Sequence, residues 1–119
     1  MANKSFITIK RSSEFQELKL NGKRYSPTNW LSVNFQPNSF GLLRLGVTSG
    51  RKVGNAVLRN RLKRWCKVYV RSLMQSGRGF EIDINIIFRS SKEEFYTHIK
   101  YSDFAEAMDK VFLHIGKKS

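Results

Sequence analysis

The amino-acid sequence predicts a single α+β domain, an α/β sandwich of element order α-β-β-α-β-α with helices packed on a small central sheet. Three observations carry this expectation. Residues 31–35, 43–47 and 82–88 alternate apolar with polar or small side chains, the period of half-buried strands. Residues 55–73 space Leu58, Leu62, Trp65, Cys66, Tyr69 and Leu73 along one face of a helix. That helix falls between the second and third strands, with shorter helical segments outside them. A length of 119 residues and 40% hydrophobic content suit one core, expected over residues 10–115 of a single domain spanning 1–119. Nine Phe, four Tyr and two Trp exclude a disordered basic tail.

In chain order, Ser13-x-x-Gln16 has the form of a capping box, with Glu14 and Glu17 in the first turn and Gly22 as a stop. Tyr25 to Asn29 reads as a loop. The strand of Leu31, Val33 and Phe35 is expected to pair with that of Leu43, Leu45 and Val47 as an antiparallel hairpin turning at Pro37-Asn38-Ser39-Phe40-Gly41. Gly54 precedes the long helix, and Ser76-Gly77-Arg78-Gly79 ends it. The third strand carries Ile82, Ile84, Ile86 and Phe88 between Asp83 and Asn85. Ser91-Lys92-Glu93-Glu94 marks a short helical turn. A last helix, starting near Ser102 or Asp103, presents Phe104, Met108, Val111, Phe112 and Ile115, with Lys117 and Lys118 at its negative end.

The charge is distributed as unevenly as the periodicity is regular. No acidic residue lies between Leu18 and Phe80, while that stretch holds thirteen Lys and Arg. The formal net charge of +13 therefore sits in the middle of the chain. So one-sided a field points to a polyanion, nucleic acid before an acidic protein or membrane surface. No apolar run suggests a membrane span or a secretory signal, and a lone Cys66 forms no internal disulfide, so a cytoplasmic protein is expected. Arg59 and Lys63 lie one turn apart on the helix, as do Asn60 and Arg64, giving rows of donors that can engage several phosphates.

The run Gly54-Asn55-Ala56-Val57-Leu58-Arg59-Asn60-Arg61-Leu62-Lys63-Arg64, preceded by Gly46-Val47-Thr48-Ser49-Gly50-Arg51-Lys52-Val53, resembles the signature of the protein subunit of bacterial ribonuclease P. The similarity continues through Glu14-Phe15-Gln16, Gly22 and Asp83-Ile84-Asn85-Ile86-Ile87. The resemblance implies a left-handed β-α-β crossover through the long helix, against the usual rule. It also implies a large catalytic RNA as partner, bound through Arg51, Lys52, Arg59, Asn60, Arg61, Lys63 and Arg64, with Lys67 continuing the basic row. The second implied partner is precursor tRNA, its 5′ leader received between that helix and the sheet, with Phe15 lining the cleft. Hydrolysis is then the RNA's, with Mg²⁺ held mainly by the RNA; no catalytic residue, bound metal or obligate protein partner is expected of the chain. The family often carries a Tyr near Val33 and an aromatic near Lys19; here either leader stacking is weaker or Tyr25 or Trp30 substitutes.

Other residues have blander readings. Trp65, Tyr69 and Cys66 are expected in the core, and Asp83 beside a cation. His98 and His114 have no metal-ligand spacing. Two rival functions stay in view. A ribosomal-type or general RNA-binding protein would share the charge and fold class. A self-sufficient nuclease would need clustered carboxylates, where only Glu81 and Asp83 are at hand.

Overall fold

The computed structural model describes residues 6–77, 80–91 and 94–117. Arg78, Gly79, Lys92, Glu93 and Lys118, which entered the expectations for helix ends and caps, lie outside the described residues.

Five strands, β1 (Ile7–Thr8), β2 (Lys23–Tyr25), β3 (Leu31–Pro37), β4 (Arg44–Ser49) and β5 (Ile82–Phe88), form one sheet in the order β1-β4-β5-β3-β2. The helices are α1 (Ser12–Asn21), α2 (Ala56–Gln75), α3 (Phe95–His98) and α4 (Tyr101–Lys117), with a 3-10 turn at Arg51–Val53. No helix among the described residues is long and apolar enough to cross a membrane.

The expected hairpin of β3 with β4 does not form. β5 lies between them, antiparallel to β3 and parallel to β4. The reason is apolar content: Ile82, Ile84, Ile86 and Phe88 are buried, as are Asp83 and Asn85 on the other face, so β5 suits the centre of the sheet. The Asn38 N–H donates to the Glu81 carbonyl at 2.9 Å, tying the turn after β3 to the start of β5. β4-α2-β5 is thus a parallel crossover unit. The short edge strands β1 and β2 fall where the sequence suggested no strand; two or three residues carry too little alternation to read.

The sheet has two unlike faces. Leu31, Val33, Phe35, Leu45, Ile84, Ile86 and Phe88 share a cluster with Leu62, Trp65, Cys66, Tyr69 and Leu73 of α2 and Phe104, Met108, Val111, Phe112 and Ile115 of α4. Trp65 and Tyr69 are packing residues, with Trp65 edge-on to Tyr101 at 5.9 Å and Tyr69 edge-on to Phe104 at 6.2 Å. Burial pushes the pKa of the Cys66 thiol well up, so it stays protonated and inert. The opposite face presents Ser32, Asn34, Arg44, Gly46, Thr48, Asp83 and Asn85, paired across neighbouring strands. Helix α1 lies on this polar face.

Local chemistry sets the helix boundaries. The Asn55 side chain caps α2, its Oδ1 accepting from the Leu58 N–H at 2.9 Å. Helix α4 starts slightly earlier than expected, at Tyr101, where Asp103 reaches back to accept from the Lys100 N–H at 2.8 Å. The expected capping box of α1 is absent: Arg11 occupies the cap without a side-chain bond, and Glu14 is turned to Arg44 instead. Gly22 does stop α1, its N–H bonded to the Leu18 carbonyl. A Cβ there would stand 2.5 Å from that oxygen and 2.9 Å from the Phe35 carbonyl, so only glycine lets the chain turn into β2 so closely.

Candidate RNA interface

Helix α2 divides lengthwise. Its inner stripe is buried, while Asn60, Arg61, Lys63, Arg64 and Lys67 are exposed along its outer surface. Arg51 and Lys52 are exposed in the 3-10 turn that leads into it. That turn closes through the Gly54 N–H on the Arg51 carbonyl, so the two cations sit just ahead of the helix start. The sequence-predicted basic residues therefore come together on one helix and its lead-in.

Arg59 departs from that picture. It is half-buried, and its Nε is buried without a hydrogen-bond partner, because the residue lies at the border of the core stripe rather than on the outer surface. It is seated partly in the protein, whereas Arg64 is exposed. Arg61, at the other border, rests its guanidinium 4.9 Å from the centroid of Trp65. A flat cation is thereby held beside a helix surface that otherwise offers long, mobile side chains.

Phe15 belongs to a second region, on the polar sheet face. It is half-buried, with its ring lying over Gly46 of β4: a Cβ at Gly46 would meet Phe15 Cε1 at 2.5 Å. Beside it the Asn85 Nδ2 donates to Thr48 Oγ1 at 3.0 Å. The walls of this site are α1 and the polar face of the sheet, so the expected cleft between the sheet and α2 is not where Phe15 lies; α2 packs on the other face. Val33 likewise points away, fully buried under α2 and α4, leaving Ser32 and Asn34 on the Phe15 side. Neither proposed aromatic substitute is free. Tyr25 stacks on His114 at 4.0 Å between ring centroids, and Trp30 packs against Phe95 and Tyr96. Tyr96 in turn directs its hydroxyl to the Arg89 and Trp30 carbonyls, and burial pushes its pKa up to about 12.

Next to Phe15 lies an ion-pair cluster. Arg44 donates from Nε and Nη2 to the two oxygens of Asp83, at 2.8 and 2.7 Å, and from Nη1 to Glu14 at 2.8 Å. Asn38 Nδ2 adds a 2.8 Å bond to Asp83. The cation expected beside Asp83 is therefore Arg44. Burial pushes the Asp83 carboxyl up, but the bonds from Arg44 and Asn38 more than offset it, so its pKa ends below the ordinary value. The bond to Asp83 raises the Arg44 pKa above its already high normal value. Beyond a cation beside Asp83, the sequence did not show this cluster, because residues 14, 38, 44 and 83 meet only when β4 pairs with β5 and α1 and the turn after β3 close over them.

The whole chain has counterparts among known proteins. Residues 4–116 match the family model described as Ribonuclease P. The ribonuclease P protein component of Fusobacterium nucleatum is 31% identical over 105 residues, covering 88% of this chain and 93% of the relative. That of Mesoplasma florum is 32% identical over 90 residues, covering 76% of this chain and 79% of the relative. The solved structure of Staphylococcus aureus RNase P protein superposes with a TM-score of 0.76 at 25% identity, covering 92% of this chain and 94% of that one. The Thermotoga maritima protein gives the same TM-score and identity, with 87% and 93% covered. A basic helix of the expected signature, on a sheet that superposes on these proteins, leaves one assignment: the chain belongs to the ribonuclease P protein family, the accessory subunit of a tRNA-processing endoribonuclease that works with the RNase P RNA.

Proposed function

We propose that the chain holds two RNAs on two surfaces. The outer surface of α2 and its lead-in, from Arg51 and Lys52 through Asn60, Arg61, Lys63, Arg64 and Lys67, with Arg59 at its border, contacts the catalytic RNA. The polar sheet face at Phe15 receives the single-stranded 5′ leader of precursor tRNA. One observation carries the reading: the family's basic motif lies on one helix surface inside a stretch with no acidic residue from Leu18 to Phe80. Such a surface neutralises phosphates and lets two polyanions approach each other. Mg²⁺, held by RNA phosphates, would activate water and stabilise the leaving oxygen. The protein's part is positioning and charge compensation, in the cytoplasm and with no obligate protein partner.

The test compares binding of leader-bearing precursor and mature tRNA to the reconstituted protein-RNA complex. Phe15→Ala should cost about 1–3 kcal/mol for the precursor and little for the mature tRNA. Equal losses for both, with a large fall in melting temperature, would make Phe15 a core residue only. Protein stripped of RNA should cleave no precursor at any Mg²⁺ concentration; cleavage abolished by an acidic-residue mutation would make it a protein nuclease.

A further inference from the structure

We propose that Phe40 is a second stacking platform, taking an unpaired nucleobase of the same RNA segment that Phe15 receives; the inference rests on the leader reading above. Phe40 lies in the turn between β3 and β4 and is 59% exposed, unusual for a large aromatic. The turn that presents it is tied down. Asn38 Oδ1 accepts from the Phe40 N–H at 3.0 Å, and Asn38 Nδ2 donates to the Leu42 carbonyl at 3.1 Å and to Asp83. The inner face of the ring is occupied, with Arg44 Cζ 4.4 Å from its centroid. Arg44 cannot swing away, since Asp83 and Glu14 hold it. The exposed surface of the ring is therefore the outer face and the rim.

Chemistry narrows the occupant to a neutral planar group. Arg44 is outweighed by the two carboxylates it bonds, so the cluster carries a net single negative charge. With Arg44 held by both carboxylates, this cluster offers a phosphate or an acidic peptide no free cation to bind. A base needs no charge to stack, and every base has a π-face. Position supplies the rest. Arg44, which backs Phe40, and Gly46, which lies under Phe15, are two residues apart on β4 and share one face. Their backbones are about 7 Å apart. One RNA strand running along this face can meet both rings.

The experiment uses the reconstituted complex and precursors carrying one abasic nucleotide at successive leader positions. Phe40→Ala should weaken binding of the intact precursor by about 5- to 150-fold. The salt dependence and the affinity for mature tRNA should stay unchanged, since no phosphate contact is lost. Phe40→Trp should bind like the wild type, whereas Phe40→Leu, which still covers Arg44, should bind like Phe40→Ala. A single abasic position should remove the effect of Phe40→Ala, and it should differ from the position that removes the effect of Phe15→Ala. If Phe40→Ala binds as the wild type does while the wild type still prefers leader-bearing RNA, the platform is wrong and the leader reading stands. If Phe40→Leu binds like the wild type, the ring is only a cover for Arg44. Equal weakening for precursor and mature tRNA would place the ring against the catalytic RNA and overturn the proposal. A wild type with no preference for leader-bearing RNA would remove the leader reading itself.

Discussion

The outer surface of α2 and the polar face of the sheet both offer arginine beside an aromatic ring, yet the two arginines do different work. On α2, Arg61 rests on Trp65 with no carboxylate among the described residues bonded to it, so its charge is available to a partner. On the sheet face, Arg44 lies against Phe40 with three hydrogen bonds to two carboxylates, so its charge is spent within the protein. The contrast separates two ways of holding RNA. One neutralises phosphates and is weakened by salt; the other offers flat apolar surface and is nearly indifferent to it. A count of basic residues treats both arginines alike, and only their partners tell them apart.

The largest expected effect breaks the inward-directed side of this comparison. Asp83→Ala removes the bidentate partner of Arg44 and leaves a half-buried guanidinium with Glu14 alone. Breaking such a part-buried pair costs about 2 kcal/mol of stability, less than a fully buried one, to be read from denaturant unfolding. The cleavage step of the assembled enzyme should survive if the role of Asp83 is to hold Arg44; loss of cleavage in a folded Asp83→Ala variant would give it a part in the reaction. The same pair has a pH signature. The Asp83 pKa is lowered in the folded state, so its stabilisation is present above the ordinary Asp pKa and is lost as pH falls toward the lowered folded value. Asp83→Asn should therefore flatten the acid limb of the stability profile. An unchanged acid limb would mean that Asp83 contributes little to acid unfolding.

The next effect sharpens the outward-directed side. Arg64→Ala should flatten the log-log salt dependence of RNA binding by about one unit, with stability within about 0.5 kcal/mol of the wild type. Arg59→Ala should differ from it in kind. Its stem is half-buried and its Nε is already unpartnered, so its removal changes packing as well as charge. Melting temperatures of the two variants decide the matter: a drop for Arg59→Ala alone confirms the difference, and matching values would make both arginines surface residues.

Much of this was legible in the sequence because it rests on local periodicity. The α2 stripe of Leu62, Trp65, Cys66, Tyr69 and Leu73 appears as predicted, since a 3.6-residue period is a property of one segment. The same holds for the strands of Leu31 and Ile82, and for the row Asn60, Lys63, Arg64 and Lys67. What was not legible depends on which segments become neighbours. The β3-β4 hairpin looked sound because adjacent strands commonly pair, but β5 is buried on both faces and takes the central place. Once it does, Asp83 pairs with Arg44 in register, and Glu14 is drawn from its expected cap to the same guanidinium. Phe40 carried one signal, a large aromatic at the tip of a turn, but its meaning depends on the arginine beneath it.

The smallest effect tests whether the two surfaces depend on each other. Asn55 caps α2 through the Leu58 N–H and is exposed, touching the basic surface only through the start of the helix. Asn55→Ala should cost about 1 kcal/mol of stability. Fraying would be confined to the first turn, since Leu62 onward is anchored in the core. That turn carries Arg59 and follows the 3-10 segment of Arg51 and Lys52, so binding of the catalytic RNA should weaken slightly. The polar sheet face lies across the sheet, and its cluster contacts no residue of this turn among the described hydrogen bonds. Discrimination between leader-bearing and mature tRNA should therefore be unchanged when both are measured at saturating protein. Asn55→Asp should restore stability, because Asp caps as well as Asn. It also adds the only acid in that stretch, so it should regain the fold while RNA binding stays below the wild type. Loss of leader discrimination in Asn55→Ala would show that the start of α2 and the Phe15 face act as one site, and would end the distinction drawn between them.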